Sequence, residues 1–370
     1  MDTGRSSIDI VTAPGNAKLR LSSMSHSSMS SLAVGERAPQ IVGTTELGRF
    51  FSLEVQAGRP AVLLLLRSDD AQAARALLHA LAETAEPRLR QAGVDLVPLA
   101  ALDAAFVRAF ADDEERRGQI VYTTDVEGPA AGEHPLAVFL DRSGRIAHIA
   151  PISCAYDLIE ALGAAAPFLR SEAARLCVSS APVLIIPNLL TPSQCQALIA
   201  HFETSAHKAG VMASVRDGQA WVKTDESKKL RREIELAEDS EPHRLILNVL
   251  AEQCAPEIKR AFQADMAHAD RILLARYDDT GGYFKRHKDN AAPQTAFREF
   301  AISLNLNTQD YEGGELLFPE FNDHRYNPPA GAAIIFSASL LHEAAPVTKG
   351  SRYVALSFLS SAAALERFIG

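Results

Sequence analysis

Four cysteines in 370 residues, none in a Cys-X-X-Cys pair, set the first limits on this chain. Cys154, Cys177, Cys195 and Cys254 are too few and too far apart for a disulfide framework or a zinc site, so a reducing, cytoplasmic compartment is expected. No cysteine precedes Cys154, which leaves the earlier part of the chain without a thiol nucleophile. Long apolar runs are also missing. The longest, AVLLLL at 61–66, is far short of the roughly 20 residues that cross a bilayer, and no membrane partner is expected. The first twenty residues carry Asp2, Arg5, Asp9, Lys18 and Arg20 and no apolar core, which is not the pattern of a secretory signal. Basic residues are outnumbered, 37 Lys and Arg against 46 Asp and Glu; a net charge of -9 gives no general reason to expect a nucleic-acid partner.

The composition that remains, 47% hydrophobic and 22% charged, is that of a globular chain, long enough for two or three domains. Residues 1–33 lack periodicity and include Ser22-Ser-Met-Ser-His-Ser-Ser-Met-Ser-Ser; they read as a disordered leader. Folded sequence is expected from Val34. Arg59-Pro-Ala-Val-Leu-Leu-Leu-Leu has the continuous apolar character of a strand covered on both faces. Residues 71–84 are rich in alanine and leucine and read as a helix, 94–99 as a second strand and 101–115 as a second helix. Pro135-Leu-Ala-Val-Phe-Leu-Asp-Arg-Ser-Gly-Arg-Ile-Ala-His-Ile reads as a hairpin turning at Ser-Gly. Strands alternating with helices predict an α/β domain over 34–155. From its Gly35-Glu-Arg-Ala-Pro start to the Asp141-Arg-Ser-Gly-Arg hairpin, this region resembles the thioredoxin-like fold of peroxiredoxins. It departs from them at the position after the first core strand, where the resemblance implies a reactive cysteine and the sequence has Arg67-Ser-Asp-Asp. A thiol peroxidase is therefore disfavoured. A redox-inactive scaffold is expected, and a homodimer through this domain stays open.

A helical connector is expected over 156–180 and a second domain over 181–370. Thr191-Pro-Ser-Gln is a capping box with proline at the first helical position, and Cys195, Leu198, Ile199 and Phe202 recur on one helical face. Val215-Arg-Asp-Gly-Gln-Ala-Trp-Val-Lys reads as a strand pair around Asp-Gly, with Trp221 assignable to core or to a substrate lip. The basic segment 223–232 reads either as solvated surface or as a cover over a substrate. A helix over 242–267 precedes a sheet starting near Arg271.

The chemistry concentrates in 277–352. His287 and Asp289 stand at i and i+2, which on an extended segment puts both side chains on one face. His342 follows the apolar run Ala332-Ala-Ile-Ile-Phe-Ser. Two imidazoles and one carboxylate that leave positions open form the ligand set of a facial-triad non-heme Fe(II) oxygenase. Arg352, a fixed cation on an otherwise apolar strand, needs an anionic partner, and a dicarboxylate would serve. The remaining histidines lack such company and read as core or surface residues.

Three blocks carry a resemblance: Tyr277-Asp-Asp-Thr-Gly-Gly-Tyr-Phe-Lys-Arg-His-Lys-Asp-Asn, Tyr311-Glu-Gly-Gly-Glu-Leu-Leu-Phe-Pro-Glu and Leu341-His-Glu-Ala-Ala-Pro-Val-Thr-Lys-Gly-Ser-Arg-Tyr. Together they resemble prolyl 4-hydroxylase-type Fe(II)/2-oxoglutarate-dependent dioxygenases. The resemblance implies a double-stranded β-helix (jelly roll) of α+β class, with Fe(II) on His287, Asp289 and His342. It implies 2-oxoglutarate on Arg352 and Tyr277, with Asn305 contributing, O2 as second cosubstrate and ascorbate as a candidate reductant. The implied reaction is hydroxylation of an unactivated C–H bond, first of all in a prolyl residue of a peptide or protein, with release of succinate and CO2. A free amino acid or small metabolite is the alternative substrate, and a non-catalytic sensor of iron or 2-oxoglutarate the alternative class. The strand Phe300-Ala-Ile-Ser-Leu-Asn-Leu-Asn alternates, and its Ser303–Asn305–Asn307 face is open between lining the site and facing solvent. Asp323, His324 and Arg325 are expected on a loop near the site mouth.

Overall fold

The computed structural model describes residues 11–13, 16–18, 32–45, 47–67, 69–111, 119–124, 134–169, 174, 176–210, 212–216, 219–223 and 225–369. They divide into two compact units, Met24–Ala174 on one side and Arg175–Gly370 with Met1–Ser23 on the other. Most of the leader expected over 1–33 lies outside the described residues. Within it, Val11–Ala13 and Asn16–Lys18 form a short hairpin whose second strand pairs with His268–Ala269.

The first unit is built on a mixed seven-stranded sheet in the order Phe50–Ser52, Val42–Thr44, Val121–Thr123, Asp95–Ala101, Ala61–Leu65, Leu136–Leu140, Ile146–Pro151. The pairings of Asp95–Ala101 with its two neighbours are parallel and the rest antiparallel. The apolar run forms a central strand, between Asp95–Ala101 and Leu136–Leu140, and is buried at all five positions. Its side chains alternate: Val62, Leu64 and Leu66 enter one core and Leu63 and Leu65 the other. The first core is closed by helices Ala71–Thr84, Ala104–Ala111 and Ala155–Leu169, through residues such as Leu78, Phe106 and Leu162. Asp70 starts the first of these by accepting from the Ala73 amide, an N-cap. The predicted hairpin is present; the Asp141 carboxylate accepts from the Ser143 and Arg145 amides across its turn, and Gly144 supplies the positive φ of 80°. The helix expected over 101–115 is present as Ala104–Ala111, and residues 112–118 lie outside the described residues. The helix Ala155–Leu169 covers the first part of the connector expected over 156–180, of which residues 170–173 and 175 lie outside the described residues.

The second unit pairs a large sheet with a small one. The large sheet runs Lys208–Ala209, Arg232–Glu235, Leu273–Asp278, Val347–Ser360, Phe300–Asn305, Ala333–Ser337, Val183–Ile186, all antiparallel. The small sheet runs Lys229–Leu230, Tyr283–His287, His342–Ala344, Leu316–Leu317. One face of the large sheet packs Leu274, Ile302, Leu304 and Ile335 against the helical layer. That layer includes Pro192–Thr204, whose Thr191–Gln194 capping box is formed as predicted, with Cys195, Leu198 and Phe202 buried. The other face, with Ala275, Tyr277, Ile334 and Phe336, shares a core with Leu316, Phe318 and Ala344 of the small-sheet side. Two antiparallel sheets joined by strands that alternate between them make a double-stranded β-helix.

The single helix expected over 242–267 is three pieces: Glu241–Asn248, a π turn Val249–Cys254, and Ala255–Phe262. Pro256 has no N–H to return to a carbonyl one turn back, and the chain widens just before it, the Ala255 amide reaching Leu250. Gln263, left-handed at φ 56°, ends the run. The strand pair Met212–Arg216 with Gln219–Lys223 is present, and the side chain of Trp221 lies outside the described residues. Among the described residues no helix is long and apolar enough to cross a membrane.

Candidate metal centre and its cavity

His287 and Asp289 meet at one point, although the extended segment ends at His287 and Asp289 lies in the turn that follows. His287 ends the strand Tyr283–His287 and stands opposite His342 in the antiparallel register of the small sheet. Two residues on, the Asp289 amide donates to the Ala338 carbonyl at 2.9 Å. The Asp289 carboxylate then lies between the imidazoles, 3.4 Å from His287 Nε2 and 3.4 Å from His342 Nε2. The three ligating atoms lie within 4.8 Å of one another, the only such group of His, Cys, Asp or Glu among the described residues.

Each imidazole is oriented from behind. His287 Nδ1 is 2.7 Å from the Lys285 carbonyl and His342 Nδ1 3.0 Å from that of Leu340. A backbone carbonyl can only accept, so both Nδ1 atoms carry the proton and both Nε2 lone pairs face Asp289. Burial lowers the His342 pKa, against the pull of Asp289, and favours the neutral ring. Burial would raise the Asp289 pKa, but the neighbouring His342, His287 and Arg298 outweigh it and hold the carboxyl at about 2. Two imidazole nitrogens and one carboxylate oxygen fit a divalent transition metal.

The trio opens into a cavity of about 1150 Å³. Arg352, on the long strand Val347–Ser360, lines it and is only 2% exposed. Its Nη2 donates to Ser303 Oγ and Asn305 Oδ1, each at 3.3 Å, and its Nε has no partner. Among the described residues no carboxylate pairs with it. The Ser303–Asn305 face of Phe300–Asn305 therefore points inward, between the sheets, while Ile302 and Leu304 face the helices. Gly313 and Gly314, at φ 80° and 70°, turn the chain over this arginine; a Cβ on Gly314 would stand 2.9 Å from Arg352 Cδ.

Tyr277 stands opposite Arg352 in register, lines the cavity, and accepts a hydrogen bond from Arg231 Nη1 at 2.7 Å. Asn305 is set back from the wall: its amide nitrogen donates to Thr308 Oγ1, Asn327 Oδ1 and the Pro328 carbonyl. Arg325 lies outside the cavity lining, exposed and paired with Glu315 at 3.0 Å.

Lys229, Arg231 and Glu233 of the basic segment and its continuation point into the cavity, with side chains 4%, 7% and 2% exposed; Lys228 is exposed at the cavity rim and Arg232 is exposed away from it. Glu233 accepts from Lys229 at 3.2 Å and Arg231 at 2.9 Å. Burial opposes ionisation of this carboxyl, but Arg231 and Lys229 hold it at about 2. Burial and the neighbouring Arg231 push the Lys229 ammonium down to about 7. The signal was in the sequence: charges at 229, 231 and 233 repeat with period two, the spacing of one strand face.

Comparison with known proteins bears on this unit. Residues 272–360 match the 2OG-Fe(II) oxygenase superfamily. A PKHD-type hydroxylase of Methylobacterium nodulans is 32% identical over 182 residues, 46% of this chain and 74% of that protein. A PKHD-type hydroxylase of Paracoccus denitrificans is 28% identical over 195 residues, 48% of this chain and 78% of that protein. Among solved structures, a Pseudomonas putida prolyl-4-hydroxylase gives a TM-score of 0.38 at 16% identity, over 49% of this chain and 93% of its own.

Proposed function

Since the chain belongs to the 2OG-Fe(II) oxygenase superfamily, as a PKHD-type hydroxylase, we propose that its second unit hydroxylates a C–H bond of a prolyl residue in a peptide or protein. The observation that carries the reading is the convergence of His287, Asp289 and His342 on one point at the cavity wall. These three residues would hold Fe(II) and leave positions for 2-oxoglutarate and O2. Iron with these cosubstrates supplies the oxidising power that no amino-acid side chain has.

The rest is the work of the chain. Arg352 is the anchor for the distal carboxylate of 2-oxoglutarate: its planar fork suits a carboxylate, its unpartnered Nε awaits an acceptor, and Gly314 leaves room for its stem. Ser303 and Asn305 fix the guanidinium by accepting from Nη2, so Asn305 acts on the cosubstrate through Arg352. Tyr277 accepts from Arg231 and keeps its own phenolic proton to donate to a 2-oxoglutarate oxygen. Phe336, Leu316 and Ala344 give the cavity apolar walls that keep water from the reacting carbon.

The first unit, 34–155, is proposed as a thioredoxin-like scaffold without redox chemistry, the second unit occupying 181–370. Its parallel central strands support the fold. The turn after the central strand carries an Arg67–Asp69 ion pair at 2.5 Å where the resemblance implied a thiol.

The test is anaerobic binding of Fe(II) and 2-oxoglutarate, then succinate release on admitting O2 with ascorbate present, for the wild type and His287→Ala. Succinate from the wild type alone is expected. Equal release from both proteins, or none from either with prolyl peptides present, would refute the reading.

A further inference from the structure

The strand that carries His287 is irregular at one place, and the irregularity sets the charge of the cavity mouth. Against His342–Ala344, the partners Phe284↔Ala344 are followed by His287↔His342, three steps on one strand for two on the other. Lys285 and Arg286 therefore both stand opposite Glu343, in a β-bulge. On a regular strand Phe284 and His287 would point to opposite faces; the extra residue lets their rings stack. It also brings Lys285 and Arg286 to the rim, where both are exposed and line the cavity. Glu343 pairs with one of the two, Arg286 Nε lying 3.2 Å from its carboxylate. Lys285 has the ring of Tyr283, 5.6 Å from its Nζ.

Two more lysines join it. Lys228 stands across from Lys285, whose amide donates to the Lys228 carbonyl at 2.8 Å. Lys288 follows His287 directly. Both are exposed and both line the cavity. Among the described residues no carboxylate lies within ion-pair distance of Lys228, Lys285 or Lys288. Asp225 and Glu226, the acids nearest Lys228 in the chain, do not line the cavity. Like charges set opposite each other on antiparallel strands repel and cost stability, so the rim holds a charge that the fold itself leaves unanswered.

We infer that Lys228, Lys285 and Lys288 form a docking rim for an acidic stretch of a peptide or protein, whose target residue enters the cavity toward the metal centre. This rests on the hydroxylase reading given above and names the class of its substrate.

The spacing suits an extended partner. Lys285 and Lys288 stand on either side of His287 in the chain, and residues three apart on a strand are separated by roughly 10 Å. One carboxylate of a small acid cannot span that separation, whereas a peptide crossing the mouth can offer a carboxylate to each ammonium. Nucleic acid fits less well. Its affinity is built from many phosphate contacts, and this rim offers three lysines on a chain of net charge -9.

The test is fluorescence anisotropy of labelled prolyl peptides on the full chain, kept anaerobic and loaded with Fe(II) and 2-oxoglutarate. One peptide carries glutamates on both sides of the proline, and its counterpart carries glutamines at the same positions. At low salt the glutamate peptide is expected to bind about tenfold more tightly, the combined effect of three exposed ion pairs. That preference should fall to about twofold or less when Lys228→Gln, Lys285→Gln and Lys288→Gln are combined. It should fall likewise near 1 M salt, where the screening length is about 3 Å. Lys228→Glu, made alone and away from the metal ligands, should lower it severalfold, with circular dichroism confirming folding. Equal binding of the two peptides by the wild type, or a preference that survives both the triple variant and high salt, overturns the inference. So does a single-stranded oligonucleotide that outbinds the glutamate peptide and loses its affinity in the triple variant, which assigns the rim to nucleic acid. Succinate release on admitting O2 is measured on the same samples. Its absence where the glutamate peptide binds refutes the hydroxylase reading and leaves the rim as a binding surface; its presence without a glutamate preference refutes the rim alone.

Discussion

Replacing Arg352 by methionine should damage cosubstrate binding and spare the fold, two effects that usually travel together for a buried arginine. In the cosubstrate-free protein this guanidinium is 2% exposed, its only side-chain acceptors are two neutral oxygens at 3.3 Å, and its Nε has none. Removing a buried charge that lacks a counter-charge is neutral or stabilising, by up to roughly 1–4 kcal/mol in comparable replacements. With 2-oxoglutarate bound, the same group is predicted to make two charge-assisted hydrogen bonds, worth roughly 1.5–3 kcal/mol each. Loss of about 3 kcal/mol, the low end, weakens binding by about a hundredfold. The assay is anaerobic calorimetry of 2-oxoglutarate against Fe(II)-loaded protein, with thermal melts of the metal-free protein in parallel. The Arg352→Met melting temperature should hold or rise while the dissociation constant climbs. An unchanged dissociation constant, or a melting temperature lower by more than about 5 °C (the effect of losing ~2 kcal/mol in a unit of this size), would show that Arg352 is a structural residue and that the cosubstrate anchor lies elsewhere.

Further tests bear on other parts of the molecule. Fe(II) at about a hundred times its dissociation constant should stabilise the wild type by about 2.7 kcal/mol, read as a rise in melting temperature, and His342→Ala should abolish the rise. Glu233 sits at about 2 in the fold against an ordinary 4.5. A depressed carboxyl stabilises above its unfolded value and loses that contribution as pH falls, so about 3 kcal/mol should disappear between pH 5 and pH 2. Glu233→Gln should flatten that loss in denaturant titrations and, by stranding Lys229 and Arg231, lower stability at pH 7; an unaltered acid limb would count against the buried triad. Thr191→Ala removes the capping box and should cost about 1 kcal/mol in chemical denaturation with no change in metal binding.

What could be read from the sequence depended on whether period and chemistry agreed. His287 and Asp289 were legible because period two and ligand chemistry point the same way, and His342 because it follows an apolar strand. The inward polar face of Phe300–Asn305 was left open, since alternation shows that two faces differ but not which one meets a second sheet. Charge density leaves 223–232 open between solvated surface and a cover over a substrate; the pairing of Lys229 and Arg231 with Glu233, which makes their burial tolerable, is tertiary. The π turn before Pro256 had a visible cause, yet an apolar stripe on both sides of a proline still reads as one helix.

The long strand Val347–Ser360 has one further consequence. It is bonded along both edges, to Leu273–Asp278 and to Phe300–Asn305, and it carries Arg352 in the middle. Lys229 belongs instead to the two-residue edge strand of the small sheet, and Arg231 lies between that strand and Arg232–Glu235, in neither. In hydrogen-exchange terms, amides around the cosubstrate anchor can open only when the whole unit unfolds, whereas those of the cationic wall can open through local fraying. The anchor proposed for the cosubstrate thus rests on a strand paired along both edges and the cationic wall on an edge, so the wall can be redesigned with less disturbance to the sheet.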